Sequence, residues 1–94
     1  MSVIEKDQLC PVCGFDFFEY TGFKPWKGDS PSYEICASCG IQFGYQDLVW
    51  EEKERASIYR KWREKWIKNG MKWNNQEEYK PKDWDPKEQL KRIL

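Results

Sequence analysis

Cys10-Pro11-Val12-Cys13-Gly14 and its echo Cys36-Ala37-Ser38-Cys39-Gly40 govern how the rest of the chain is read. Each pair sets two thiols one tight turn apart, so both can reach a single ion at about 2.3 Å, and two such turns complete a tetrahedron. The 22 residues between the pairs, 14 to 35, fall within the separation that such knuckles tolerate. A glycine directly after each second cysteine suits a turn that needs positive φ and exposes backbone N–H groups to sulfur. The chain has no histidine, so Cys10, Cys13, Cys36 and Cys39 are the whole inventory of soft ligands and the expected metal site. Zinc in a structural role is the expected cofactor. A rubredoxin-like iron centre at the same cysteines is one alternative, and disulfide or free-thiol chemistry is another. A catalytic zinc is disfavoured, because such sites keep an open position that a closed four-cysteine set lacks. A thioredoxin-type motif would need a βαβ context that this sequence does not offer.

The need for a metal fits the composition. Ninety-four residues fit one small domain, a size at which chains bury a modest share of their surface and often recruit staples. Charged residues make up 34% and the mean hydropathy is −0.95, so aliphatic side chains alone look too few for a robust core. Aromatics make up 17%, six of them tryptophans, and a few large rings are expected to do most of the packing. No stretch approaches the roughly 18 to 20 apolar residues of a membrane span, and Met1 to Leu9 shows no signal peptide, so the cytoplasm is the expected compartment. Thiols there stay reduced, which again favours metal over disulfide. The net charge is zero, but residues 1–50 carry three lysines against seven acids and the remainder carries thirteen bases against nine. An acidic metal-bearing half beside a basic half can orient a partner without naming it.

The expected layout is a ribbon over residues 8–46, a long helix over 47–70 and an extension over 71–94. Phe15, Phe17, Phe18 and Tyr20 read as a strand leaving the first knuckle. Gly22 to Ser32 read as a loop. Tyr33, Ile35, Ile41 and Phe43 alternate with polar neighbours, as expected for a hairpin built on the second knuckle. Asp47 reads as an N-cap, followed by Glu51, Glu52 and Glu54 at the positive end of a helix that runs to about Asn69 and stops at Gly70. On a helical wheel Leu48, Ile58, Tyr59, Trp62 and Trp66 share one stripe, the core face, while Lys53, Arg60, Lys61 and Lys68 lie away from it. Arg55 falls within the stripe and is expected to lay its stem along the core edge. Beyond an irregular stretch holding Trp73, Tyr79, Pro81 and Trp84, Asp85-Pro86-Lys87-Glu88 announces a short helix to Ile93.

Rings and bases interleave from Tyr59 to Lys68, a composition also used to stack on bases and neutralise phosphates. Because rings and bases mostly occupy different faces, a core stripe with a solvated back is the first reading, ahead of a protein groove or nucleic acid. Trp26 and Trp50 fall outside the stripe, and either can be an exposed anchor or a cover for the ribbon. Asp83 and Asp85 are read as a turn and a helix cap rather than an acid/base pair, since no histidine or nucleophile accompanies them.

Cys10 to Gly14 and the run Ser32 to Tyr45 resemble a group of small, largely uncharacterised bacterial cysteine-rich zinc-ribbon proteins. Trp62 to Gly70 is similar to the end of the helix that follows the ribbon in that group. Some of its members carry Cys-Pro-Cys-Cys at the first knuckle. Val12 stands here for the inner cysteine, leaving Cys10 and Cys13 as the pair. The resemblance implies a metal-binding fold and a bacterial source, and no activity. The combined expectation is a small α+β chain: a zinc ribbon of short antiparallel strands packed on one long amphipathic helix, with a short C-terminal helix. The expected function is non-catalytic protein recognition or adaptation, with nucleic-acid binding or iron electron transfer as the alternatives.

Overall fold

The computed structural model describes residues 5–94. The expectation made for Met1 to Leu9 falls in part on residues 1–4, outside them. Five elements follow one another: helix α1 (Phe17–Thr21), strands β1 (Trp26–Lys27) and β2 (Ser30–Pro31), helix α2 (Glu52–Lys68) and helix α3 (Pro86–Lys91). Single 3-10 turns lie at Lys6–Gln8 and Glu77–Tyr79. The chain is thus a small α+β protein with a two-stranded antiparallel sheet, and its four cysteines sit at the centre of one buried cluster. No helix among the described residues is long and apolar enough to cross a membrane.

The strands expected beside the cysteines shrink to isolated bridges, Leu9 with Asp16 and Ile35 with Gln42. The run from Phe15 to Tyr20 is a correction: it turns into α1 instead of extending. Asp16 caps that helix, its carboxylate accepting the Glu19 N–H at 3.2 Å, and Thr21 Oγ1 donates to Phe17 O at 2.8 Å. Those local bonds outweigh the strand preference of the rings. Phe17 turns inward and is fully buried, while Phe18 is exposed. The stretch read as a loop, 22–32, also holds more order than expected, with Trp26 opposite Pro31 and Lys27 opposite Ser30 across a Gly28-Asp29 turn.

The start of the long helix is a second correction. α2 begins at Glu52, not Asp47, and its N-cap Glu51 makes no side-chain cap bond. Asp47 is fully buried and its carboxylate is engaged elsewhere, accepting from Gly44 N–H at 2.6 Å, Trp26 Nε1–H at 2.7 Å and Tyr59 O–H at 2.6 Å. A carboxylate taken up by two distant donors and the Gly44 N–H is not available to cap the helix. Leu48 therefore lies outside the helix and is 68% exposed, so it leaves the predicted stripe.

The rest of that stripe behaves as its spacing requires. Trp66 is buried, and Tyr59 and Trp62 pack half-buried against the cysteine cluster, with Ile58 intermediate. Arg55 lies along the core edge, its guanidinium 3.8 Å from the Trp26 ring centre and its Nε donating to Asp47 O. Lys53, Arg60, Lys61 and Lys68 are exposed. The helix ends at Asn69 and Gly70 as read.

α3 is capped by Asp85, whose carboxylate accepts from Lys87 N–H at 3.1 Å and Glu88 N–H at 3.2 Å, with proline at its first position. It stops at Lys91, two residues short of the expected Ile93. Leu90 from this helix joins Val12, Phe15, Phe17, Ile41, Phe43 and Trp66 around the cysteines. So few apolar residues make a thin core, which matches the composition.

Candidate metal centre

The two knuckles are built alike. Cys10 N–H bonds to Phe15 O and Gly14 N–H to Cys10 O, each at 2.8 Å; Cys36 N–H bonds to Ile41 O at 2.8 Å and Gly40 N–H to Cys36 O at 2.9 Å. Gly14 and Gly40 take φ of 81° and 84°, the left-handed region that their place after the second cysteine predicts. Both are also crowded. A Cβ on Gly14 would stand 2.2 Å from Gln89 O, and one on Gly40 would stand 2.7 Å from Asn74 Oδ1. The same register carries on past the knuckles and sets Phe17 edge-on to Phe43, ring centres 5.2 Å apart and both rings fully buried.

This pairing brings all four sulfurs within 4.8 Å of one another. Cys10 Sγ lies 3.8 Å from Cys39 Sγ, and Cys13 Sγ lies 3.7 Å from Cys36 Sγ. A tetrahedron with bonds of about 2.3 Å has edges of about 3.8 Å, so the cluster has the size that one tetrahedral ion requires. The thiols are free, and Cys39, the most accessible, is only 7% exposed. The four cysteines that the spacing singled out are thus together, buried and positioned for metal binding.

Burial pushes the Cys10 and Cys39 thiols well above their ordinary range. At Cys36 burial acts the same way, but hydrogen bonds from the Cys10, Cys13 and Cys39 thiols outweigh it and hold that sulfur well below the usual thiol value. Without a cation the cluster thus resists full ionisation, because each added thiolate repels the others in a low-dielectric interior. A bound cation reverses that balance, since it requires the thiolates.

What sequence reasoning missed is how the C-terminal half holds the knuckles from behind. Arg63 Nε donates to Val12 O at 2.7 Å and its Nη2 to Pro11 O at 2.8 Å. Gln89 Nε2 donates to Cys13 O at 3.1 Å and to Ser38 Oγ at 2.9 Å, and Arg92 Nη1 to Gly14 O at 3.2 Å. On the second knuckle Trp62 Nε1 donates to Cys39 O at 2.9 Å, while Asn74 and Asn75 N–H groups share Ala37 O at 3.0 Å. The carbonyls of Pro11, Val12, Cys13, Gly14, Ala37 and Cys39 are thereby satisfied from outside the turns. A signal for Arg63 was present. It continues the row Arg55, Tyr59, Arg63 at steps of four, so the reasoning that placed Arg55 on the core edge applies to it equally. Gln89 carried no signal, because its role depends on where α3 lands.

Replacing Arg63 by methionine keeps most of the stem and removes both bonds. We expect a loss of about 2–3 kcal/mol, since hydrogen bonds from a charged donor contribute about 1.5–3 kcal/mol each and water recovers part at this half-buried site. Urea denaturation measures the loss, and transfer of bound metal to a chromogenic chelator should become faster. Wild-type values in both assays would mean that water replaces the guanidinium.

The remaining sequence candidates are separated by the fold. Trp50 is fully exposed just before α2. Trp73 is half-buried and packs edge-on with Phe15, Tyr20 and Trp84. Asp83 is exposed, and Asp85 caps α3. Comparison with protein-family models, curated proteins and solved structures returns no match.

Proposed function

We propose that Cys10, Cys13, Cys36 and Cys39 hold one zinc ion as a closed structural site, making the chain a zinc-ribbon recognition module with no catalytic role. The observation that carries the metal is the buried set of four sulfurs at tetrahedral spacing. Zinc is our reading over iron because a closed four-thiolate site suits a redox-inert d¹⁰ ion whose task is to clamp the chain. Four thiolates around a divalent ion leave a net charge of −2, and Arg63 and Arg92 stand on the first knuckle's backbone to offset it. The resemblance to the bacterial cysteine-rich ribbons agrees with this reading. A protein partner is supported by Tyr45, Leu48 and Trp50, three large apolar side chains left exposed within one short segment.

Elemental analysis of protein purified from metal-replete cells is expected to find about one zinc per chain. Cobalt substituted for zinc should show the thiolate charge-transfer bands of a tetrahedral four-sulfur site. An iron-dominated preparation, or metal-free protein with oxidised cysteines, would overturn the assignment. For the recognition half, a partner captured by the native chain should be lost or weakened in Trp50→Ser.

A further inference from the structure

Away from the cysteines, a cavity of about 550 Å³ opens between α1 and residues 81–92. Its floor is aromatic, made by Phe15, Tyr20 and Trp84. These rings are held in place. Phe15 meets Tyr20 edge-on at 5.2 Å, Trp73 wedges against Phe15 at 5.6 Å and against Trp84 at 5.3 Å, and Trp84 Nε1 donates to Gln89 Oε1 at 2.8 Å. A rigid ring floor of this kind is a pre-formed binding surface, and its volume suits a long side chain with its flanking backbone.

Charge says what the occupant is. Five carboxylates line the cavity against one guanidinium, that of Arg92, which is tied to Gly14 O. Asp16 and Asp85 cap helices, and Glu88 pairs with Lys91 at 2.9 Å. Glu19 and Asp83 are exposed and make no ion pair among the described residues. Aromatic faces attract cations, a guanidinium above all, because it stacks flat while its N–H groups still reach carboxylates. Phosphates would be repelled by the same lining.

We propose that this groove binds an arginine or lysine side chain of a basic polypeptide segment. Tyr20 and Trp84, whose ring already has the chain's own Lys80 Nζ 5.9 Å from its centre, would hold the cation by its face, and Glu19 and Asp83 by its N–H groups. This goes beyond the recognition reading by adding a second contact surface, apart from Tyr45, Leu48 and Trp50, with a stated partner chemistry, and it does not depend on which metal the cysteines hold. A second copy of this chain, offering the exposed bases of α2 through a reciprocal or a head-to-tail contact, is the competing occupant that the test separates.

The test uses the metal-loaded protein and an acetylated peptide of alternating arginine and glycine. Titration followed by NMR is expected to move the Trp84 and Trp73 indole signals and the Tyr20 ring. Glu19→Gln with Asp83→Asn should weaken the peptide by about tenfold with near-UV circular dichroism unchanged, and raising salt should weaken it further. A peptide with glutamine for arginine should not bind. The proposal is overturned by unchanged affinity in the double variant, by shifts centred on Trp50, by spermine binding as well as the peptide, or by self-association that the double variant abolishes. A native partner captured equally by wild type and double variant also overturns the groove, while leaving the recognition reading standing. Failure of peptide binding together with absence of any partner removes both.

Discussion

Replacing Cys36 by serine is expected to abolish metal binding and to unfold the knuckles together with the C-terminal half. Cys36 is fully buried, 3.7 Å from Cys13 at sulfur, and its backbone closes the second knuckle through Ile41 O and Gly40 N–H. Metal binding in small sites of this kind is realised as folding free energy, with apparent values of about 10–16 kcal/mol for structural zinc in finger peptides. A domain this small has about 5–14 kcal/mol of total stability, so the metal's share exceeds what the remaining core can replace. The loss should spread, because Trp62, Arg63, Gln89 and Arg92 all dock on knuckle carbonyls that exist only when the knuckles are formed. α2 freed of its partners is close to the length at which isolated helices are marginal in water. Near-UV circular dichroism, dominated by the tryptophans, and limited proteolysis provide the readout; prolonged treatment of wild type with a strong chelator should reproduce the result. Native protease resistance in metal-free Cys36→Ser would mean that the aromatic core carries the fold unaided.

Asp47→Ala is expected to cost about 3–5 kcal/mol. Hydrogen bonds to a charged acceptor contribute about 1.5–3 kcal/mol each, and the half-buried indole and hydroxyl recover part of theirs from water. The change would strand Gly44 N–H, Trp26 Nε1–H and Tyr59 O–H at once. These three come from the turn after the second knuckle, the small sheet and α2, so the carboxylate ties together three separate parts of the chain. Asp47→Asn should recover less than half, since its amide keeps one acceptor oxygen and turns an NH₂ toward a donor. Urea midpoints separate the variants, and an Asp47→Ala protein within about 0.5 kcal/mol of wild type would remove the network from the account.

The same network implies a high-pH limit. Burial, reinforced by the Asp47 carboxylate, raises the Tyr59 hydroxyl well above its ordinary value. The folded chain therefore holds that proton more tightly than the unfolded chain does. The stability it contributes is complete below about pH 10 and declines above it as the unfolded tyrosine ionises. Tyr59→Phe should flatten the decline in an alkaline unfolding series.

The cysteine cluster was legible from residue types and spacing because a tetrahedral ion imposes its own geometry. Two tight turns with thiols three apart admit one arrangement, and the glycines after them are local necessities at positive φ. The core stripe of α2 and the Asp85-Pro86 start of α3 were legible for the same reason, since helical period and capping are set within a turn or two. Asp47 was not. In sequence it has the type and position of an N-cap, and only the arrival of Trp26 from one side and Tyr59 from the other gave its carboxylate better donors than the helix end could offer. The run from Phe15 to Tyr20 went to a helix because a cap at Asp16 and the full burial of Phe17 outweighed ring propensity. Arg63 and Gln89 serve carbonyls more than fifty residues away in the chain. Local chemistry names the groups that must be satisfied, but only packing chooses which distant side chain reaches them.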